Sequence, residues 1–435
     1  MQWADQGLLE FIEQLLDWST QVPIFILTFA RPELAEKREG WPAGRRGTTT
    51  VNLGPLDDQA VRALLEGVVD GLPEKAVGPI VERAQGIPLY AIETVRSLAD
   101  RGALEQRDGR LVATGELGEL EVPASLTALL AARLDALDPV ERGVVKAMSV
   151  FGGSFPREAA LALADLSEEQ LEVALTGLVR RQVLLIRADP LSPDRGQYAF
   201  AQGLLRTVTY ETLSRRERKQ RHLAAAEHLT SVFANDGEEV AEVISTHYLD
   251  AYRAAAEDPD AGELRERTVD ALRRASRRAA TVGAPEVAQR CYLTASELAT
   301  AEQQPALLQA AGEMAAQAGR LEEAIGLLAT AADAYTSAGR EREAALTAYA
   351  TAGALRKLGR PGEAAERVTA ALGTLQALDA GDADLARLNA ILSRAFVFTG
   401  EHERAEDAVE AALLAAEAYE LADVLAEALT NKAIL

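Results

Sequence analysis

The sequence predicts a mainly α fold that opens with a short α/β segment and closes in a long helical solenoid. Three observations carry this. A glycine-led turn recurs at Gly319, Gly339 and Gly359, 20 residues apart. Apolar residues make up 48% of the chain but aromatics only 5%, so alanine and leucine carry the hydrophobic content. That bias suits closely packed helices rather than sheet sandwiches. Apolar positions fall at helical spacing through most of the chain, and strand-like runs are short and few.

At 435 residues the chain exceeds what one hydrophobic core supports, so about three domains are expected. Near the start, Asp5 can cap a helix whose apolar positions are Leu8, Leu9, Phe11, Ile12, Leu15 and Leu16. Pro23 interrupts it. Ile24-Phe25-Ile26-Leu27 follows as a continuous apolar run ahead of Arg31-Pro32, the pattern of a strand buried on both faces of a parallel sheet. A short second strand is expected near residues 50–53. One helix and two such strands make no stable sheet, so the chain is expected to begin inside a domain, with residues 1–50 its least protected part.

From Leu56 the pattern is helical. Asp57 and Asp58 sit where a cap belongs, ahead of Val61, Leu64 and Leu65. A helix over 74–84 breaks at Gly86-Ile87-Pro88 and resumes over 89–99. A Gly-rich, charged loop over 107–121 marks a boundary. Residues 123–213 then predict helices followed by a hairpin, with strands at 183–186 and 197–200 and a turn between Asp189 and Gly196. That is the outline of a winged helix.

Beyond residue 215 everything reads as helix. Gly319-Arg320-Leu321-Glu322-Glu323-Ala324 recurs in kind at Gly339 to Ala344, Gly359 to Ala364 and Gly400 to Ala405, with a weaker copy at Gly283 to Ala288. Each glycine ends a helix in the left-handed conformation, and the alanine lets the next helix approach closely. The full period is about 40, longer than the usual tetratricopeptide period of about 34. Such hairpins coil into a superhelix with an inner groove, so the array from about Arg265 to Leu435 is expected to bind a peptide or protein. Arg320 and Arg360 should lie on one edge and Arg340 on the other. They either clamp an acidic segment or neutralise helix C-termini.

The net charge of −22 disfavours nucleic acid and anionic membranes as partners. The single cysteine, Cys291, excludes an internal disulfide, and the four histidines show no metal-binding helical pair. No apolar run reaches the roughly 18 residues of a membrane helix, and no secretory leader is present, so the cytoplasm is the expected compartment.

Met1-Gln2-Trp3-Ala4-Asp5, its helix, and Ile26-Leu27-Thr28-Phe29-Ala30-Arg31-Pro32-Glu33-Leu34 resemble the second half of the ATPase domain of STAND signalling proteins. In that family the acidic Walker B pair runs directly into such a segment, and the phosphate loop lies upstream. Neither is present in this sequence, so no switch-type ATP hydrolysis is expected of this polypeptide, and no catalytic residue or metal site is assigned. The resemblance makes Arg31 the sensor arginine facing the γ-phosphate, a role suited to a bidentate guanidinium. It makes Gly86 and Pro88, in Gln85-Gly86-Ile87-Pro88-Leu89, an adenine contact, against the plain reading of a helix-to-helix turn. Tyr198-Ala199-Phe200-Ala201-Gln202-Gly203-Leu204-Leu205-Arg206 through Tyr210-Glu211 is similar to the stretch in which the family carries a phosphate-sensing histidine. Here Gln202 stands in its place and cannot become charged.

The resemblance therefore implies the C-terminal part of a P-loop ATPase domain at 1–55, a helical lid at 56–120, a winged helix at 121–214 and tetratricopeptide-like repeats at 215–435. ATP or ADP with magnesium is the cofactor it implies for the complete parent protein. The whole order, with Thr246-His247-Tyr248-Leu249-Asp250-Ala251-Tyr252, resembles the regulatory half of bacterial proteins that join a class III adenylate cyclase to a STAND ATPase and tetratricopeptide repeats. No cyclase motif is present. The winged helix also invites a DNA-binding reading, but its recognition segment, 168–181, sets Glu168, Glu169 and Glu172 against Arg180 and Arg181, the wrong balance for phosphates. The expected function is a nucleotide-linked signalling switch acting on a protein-binding array. A non-enzymatic repeat scaffold and a transcription regulator are the alternatives.

Overall fold

The computed structural model describes residues 4, 6–19, 22–30, 34, 48–107, 110–114, 125–187, 196–233, 240–378 and 382–435. The chain divides into two compact units, Met1–Leu129 and Leu130–Leu435.

In the first unit, α1 (Gln6–Trp18) forms as the apolar spacing requires. The expected strand at Ile24–Leu27 does not form, nor does the one near 50–53, since residues 22–30 and 48–57 carry no strand pairing. Phe25 is 88% exposed and Leu53 86%. A strand buried on both faces exists only between hydrogen-bonded neighbours, and the described residues supply none here. Hydrogen exchange should therefore be fast at Ile24–Leu27 and slow in the repeat helices. Equal protection in the two regions would contradict this picture.

The rest of the unit is α2 (Asp58–Val68), β1 (Val69–Asp70), α3 (Glu74–Ala84), α4 (Pro88–Asp100), β2 (Leu104–Arg107) and β3 (Arg110–Ala113). Asp57 caps α2, its Oδ1 accepting from the Ala60 N–H at 2.7 Å. The three strands form one sheet in the order β1-β3-β2, parallel between β1 and β3 and antiparallel between β2 and β3. Part of the expected 107–121 loop is thus a strand. That strand, β3, has no fully buried residue, so no burial pattern marked it in the sequence. Val61, Leu65, Ile80, Ala84, Tyr90, Val95 and Leu129 make the core.

The second unit opens with α5 (Leu126–Asp135, which the division crosses), α6 (Pro139–Met148), β4 (Ser154–Phe155), α7 (Arg157–Ala164), α8 (Glu168–Arg180), β5 (Leu184–Ile186), β6 (Tyr198–Phe200) and α9 (Gly203–Glu211). The strands form an antiparallel sheet in the order β4-β6-β5. Capping boxes at Asp138/Glu141 and Ser167/Gln170 set where α6 and α8 begin. The turn expected between Asp189 and Gly196 lies almost wholly outside the described residues.

Eleven helices follow: α10 (Arg215–Val232), α11 (Ala241–Ala254), α12 (Ala261–Thr281), α13 (Pro285–Leu298), α14 (Gln304–Gln317), α15 (Leu321–Ser337), α16 (Glu341–Lys357), α17 (Pro361–Ala377), α18 (Asp382–Thr399), α19 (His402–Ala418) and α20 (Ala422–Lys432). They form an α-solenoid in which each helix packs on the next. The turn glycines Gly319 and Gly359 have φ of +78° and +75°, as the left-handed helix ending requires. Ala324, Ala364 and Ala405 are fully buried at the crossings. Gly312 shows how close the approach is: a Cβ there would lie 2.8 Å from Leu328 Cγ. Beyond sequential packing, α14 touches α16, α16 touches α18, and α18 touches α20. The odd-numbered helices between them lack this degree of contact, so the even-numbered row is the inside of the curve.

Candidate functional site

The inner row supplies a cavity of about 680 Å³, formed by Arg273 and Arg277 of α12, Tyr292, the Thr300–Gln303 turn, Ala306, Leu307 and Ala310 of α14, and Arg340. Its floor is apolar and its rim cationic, with Glu302 the only acid among those residues. Arg277 is exposed, and its guanidinium has no hydrogen bond or ion pair among the described residues. Arg273 lies 3.6 Å from Asp270 across a solvated helix face, an interaction of small worth. In a chain of net charge −22, a rim of three guanidiniums is a local inversion of sign.

The turn arginines behave differently from the edge clamp expected of them. Arg360 reaches Glu322 at 3.4 Å and Arg340 reaches the Glu302 carbonyl at 3.2 Å, so alternate turns do share an edge. Their guanidiniums, however, are already engaged. Arg360 makes a two-pronged pair with Glu363, both distances 2.5 Å. Arg340 pairs with Glu343 at 2.9 Å and lies over the Tyr335 ring. Arg320 donates to Gln289 and lies 3.5 Å from Glu323. The glutamate three residues on, in the first turn of the next helix, captures each arginine before an external acid can.

A second cavity, about 770 Å³, lies between the start of α10 and the end of α11, lined by Arg215, Arg216, Arg218, Lys219 and Arg253 with Asp250, Glu257 and Asp258. Lys219 is held by Asp258 at 2.8 Å and Asp260 at 2.6 Å, which raises its pKa. Beneath lies a buried polar chain. The Tyr210 hydroxyl is 3.0 Å from His222 Nε2, and His222 Nδ1 is 3.0 Å from His247 Nδ1. Phe151 meets the His247 ring edge-on at 5.5 Å. Burial holds both imidazoles neutral, pushing His222 down to about 3 and His247 down to about 4. Sequence reasoning passed over this pair. The available signal was that each histidine sits among small buried residues, His222 near Ala225 and Ala226, His247 one turn before Ala251.

Of the residues that the sequence offered to a nucleotide, Arg31 lies outside the described residues. Gly86 and Pro88 lie together at the α3–α4 turn. Gln85 and Gly86 are both left-handed there, with φ of +46° and +74°. Leu56 N–H donates to the Gly86 carbonyl at 2.9 Å, and a Cβ on Gly86 would lie 2.4 Å from Leu56 O. Gly86 is thus filled by the chain's own backbone, while the exposed Pro88 ring opens α4 at its first turn. Gln202 is half-buried at the N-terminus of α9, in the other unit, where its side chain makes no cap hydrogen bond. No Gly-x-x-x-x-Gly-Lys-Ser/Thr loop occurs in the sequence, and Gly86 has no room beside it.

On α8, Glu168 and Glu172 each lie 3.5 Å from Arg157, and Arg181 is drawn onto the buried Glu141 at 3.5 Å. Little positive charge is left for a DNA backbone. Cys291 is buried, which raises its thiol pKa. Among the described residues no group of His, Cys, Asp or Glu could hold a metal ion, and no helix is long and apolar enough to cross a membrane.

No protein-family model matches the chain, and no curated protein matches it. Solved structures do. One is a Signal Transduction ATPase with Numerous Domains (STAND) protein with a tetratricopeptide repeat sensor from Pyrococcus horikoshii, at 15% identity over 92% of this chain and 58% of that one, TM-score 0.33. A Rap protein complexed with competence and sporulation factor is 12% identical over 69% of this chain and 80% of that one, TM-score 0.34. Bacillus thuringiensis PlcR, in complex with a peptide and DNA, is 15% identical over 69% of this chain and 99% of that one, TM-score 0.32. This chain therefore spans 58% of the length of the archaeal STAND protein.

Proposed function

We propose that this chain is the sensing part of a signalling switch, and that its helical array captures a protein or peptide ligand along the inner row. The observation that carries the proposal is the cavity at α12–α14, where Arg277, unpaired among the described residues, lines the same space as Leu307 and Ala310. An apolar floor with a few oriented charges is what recognition of an extended peptide requires. The nucleotide link belongs to the same proposal. Arg31, Gly86, Pro88 and Gln202 enter it singly, each on the resemblance to STAND proteins alone, and ATP or ADP is the ligand that resemblance implies. The reading as a bare scaffold is favoured only by the filled space beside Gly86.

Selection of a random peptide library against the immobilised full chain tests the capture function. Enriched peptides should bind with dissociation constants of about 1–10 μM, and Arg277→Glu should weaken them about tenfold, or by roughly 1.4 kcal/mol. Failure to enrich any peptide, or binding indifferent to Arg277→Glu, would remove the proposal.

A further inference from the structure

Further along the inner row two guanidiniums are placed where protein chemistry leaves them unsatisfied. Arg356, near the end of α16, and Arg394, in α18, are both half-buried, and the Nε of each is buried with no hydrogen-bond partner. No hydrogen bond or ion pair engages either one among the described residues. They are close enough that Arg394 makes it harder for Arg356 to keep its proton, on top of the cost of burial. Arg356 faces the exposed ring of Phe398, 5.9 Å from its guanidinium carbon. Tyr349, two turns earlier on α16, reaches past α18 to α20, where its hydroxyl donates to Glu427 at 2.9 Å. Arg387 and Asp423 complete the surroundings, 3.8 Å apart.

Elsewhere in this chain arginines find partners readily, as the turn arginines show, because acids outnumber bases, 67 to 45. A like-charged, half-desolvated pair that no carboxylate hydrogen-bonds, with Glu427 acting on Arg356 only at a distance, costs stability when nothing is bound. Guanidiniums present planar forks that match carboxylate oxygens.

We propose that Arg356 and Arg394 form a carboxylate-reading subsite, which accepts an aspartate or glutamate side chain, or a terminal carboxylate, of the captured peptide. The inference rests on the inner row being the ligand-binding face, and it adds what that face selects for. Charge counting favours carboxylate over phosphate. Arg356, Arg387 and Arg394 face Asp423 and Glu427, leaving one positive charge, which a single carboxylate neutralises and a phosphate dianion over-compensates. Phe398 gives the neighbouring residue of the ligand an apolar platform.

The test uses the full chain and a fluorescein-labelled nonapeptide of alternating leucine and glutamate, read by polarisation. Counterparts carry glutamine or phosphoserine in place of glutamate. The glutamate peptide should bind at least tenfold more tightly than the glutamine one, and more tightly than the phosphoserine one. Arg356→Gln with Arg394→Gln should bring it down to the glutamine level, while circular dichroism shows the helices intact. The single change Arg394→Gln should raise the melting temperature of the unliganded chain, a readout that needs no ligand. Equal binding of glutamate and glutamine peptides, or a double variant within twofold of the parent, would overturn the subsite. If Arg277→Glu still weakens binding in that case, the groove survives and only the carboxylate reading falls. Preference for the phosphoserine peptide would also overturn it.

Discussion

Acidification is expected to destabilise the Leu130–Leu435 unit steeply between about pH 6.5 and pH 4, through two histidines. His222 and His247 are 2% and 4% exposed, so solvent does little to screen them. In the unfolded chain both titrate near 6.5; folded, they titrate near 3 and 4. Between those values the unfolded state holds more protons than the folded one. Stability therefore rises with pH through this window and is lost as pH falls. Above 6.5 both states are neutral and the effect vanishes. For His247 alone, a fall from 6.5 to about 4 corresponds to roughly 3 kcal/mol at 1.36 kcal/mol per pKa unit. His222 is coupled to it through their shared hydrogen bond, so its contribution does not simply add. Among the described residues the groups facing the pair offer no offsetting charge: Tyr210 and Phe151 are neutral, and Arg218 repels a cation. Asp250 acts on Tyr210 and is itself shifted upward by burial. Urea unfolding at pH 7, 5.5 and 4.5, followed by circular dichroism, reads the effect. The His222→Gln, His247→Gln double variant should lose much of the slope. An unchanged slope in that variant would assign acid sensitivity to carboxylates instead.

The second large effect is expected at Gly86. Changing it to alanine should destabilise the α2–α4 core by about 2–4 kcal/mol. The backbone there is left-handed, φ +74°, which costs any side-chain-bearing residue about 1–2 kcal/mol. The new methyl would also lie 2.4 Å from Leu56 O, 2.6 Å from Pro55 Cβ and 2.9 Å from Leu56 N. Two of those atoms are backbone and cannot swing aside, so the 55–56 segment must lift. That endangers the Leu56-to-Gly86 hydrogen bond, worth about 1 kcal/mol. Hydrogen exchange over residues 58–113, with and without urea, locates and sizes the loss. A change below about 0.5 kcal/mol would show that the turn is loose. The outcome needs no nucleotide, so it isolates the packing role of Gly86 from any adenine contact.

The repeat helices were legible because their punctuation is chemical. A glycine that must be left-handed and an alanine that must be small leave a mark every 20 residues, whatever lies between. The short apolar run at Ile24–Leu27 was misread because hydrophobicity reports a wish to be buried and cannot supply the neighbour that buries it. Phe25 and Leu27 stand 88% and 66% exposed. The arginines divided along the same line. Arg320, Arg340 and Arg360 drew notice by their spacing, yet each carries its own glutamate three residues on. Arg277, Arg356 and Arg394 share no motif; what sets them apart is that no hydrogen bond or ion pair engages their guanidiniums among the described residues.

The array's backbone contacts join mostly helices that are neighbours in sequence, with the main longer contacts reaching the next helix but one in the inner row. Tyr349 to Glu427, spanning 78 residues, is among the farthest side-chain bonds. A chain wired this locally closes few long loops, so ordering can begin at any hairpin and spread to the next. During synthesis each hairpin can settle on its predecessor soon after it emerges, well before Glu427 exists. The α16–α20 region, where Tyr349 waits for Glu427, therefore acquires its final shape only after α20 has emerged, later than the hairpins before it.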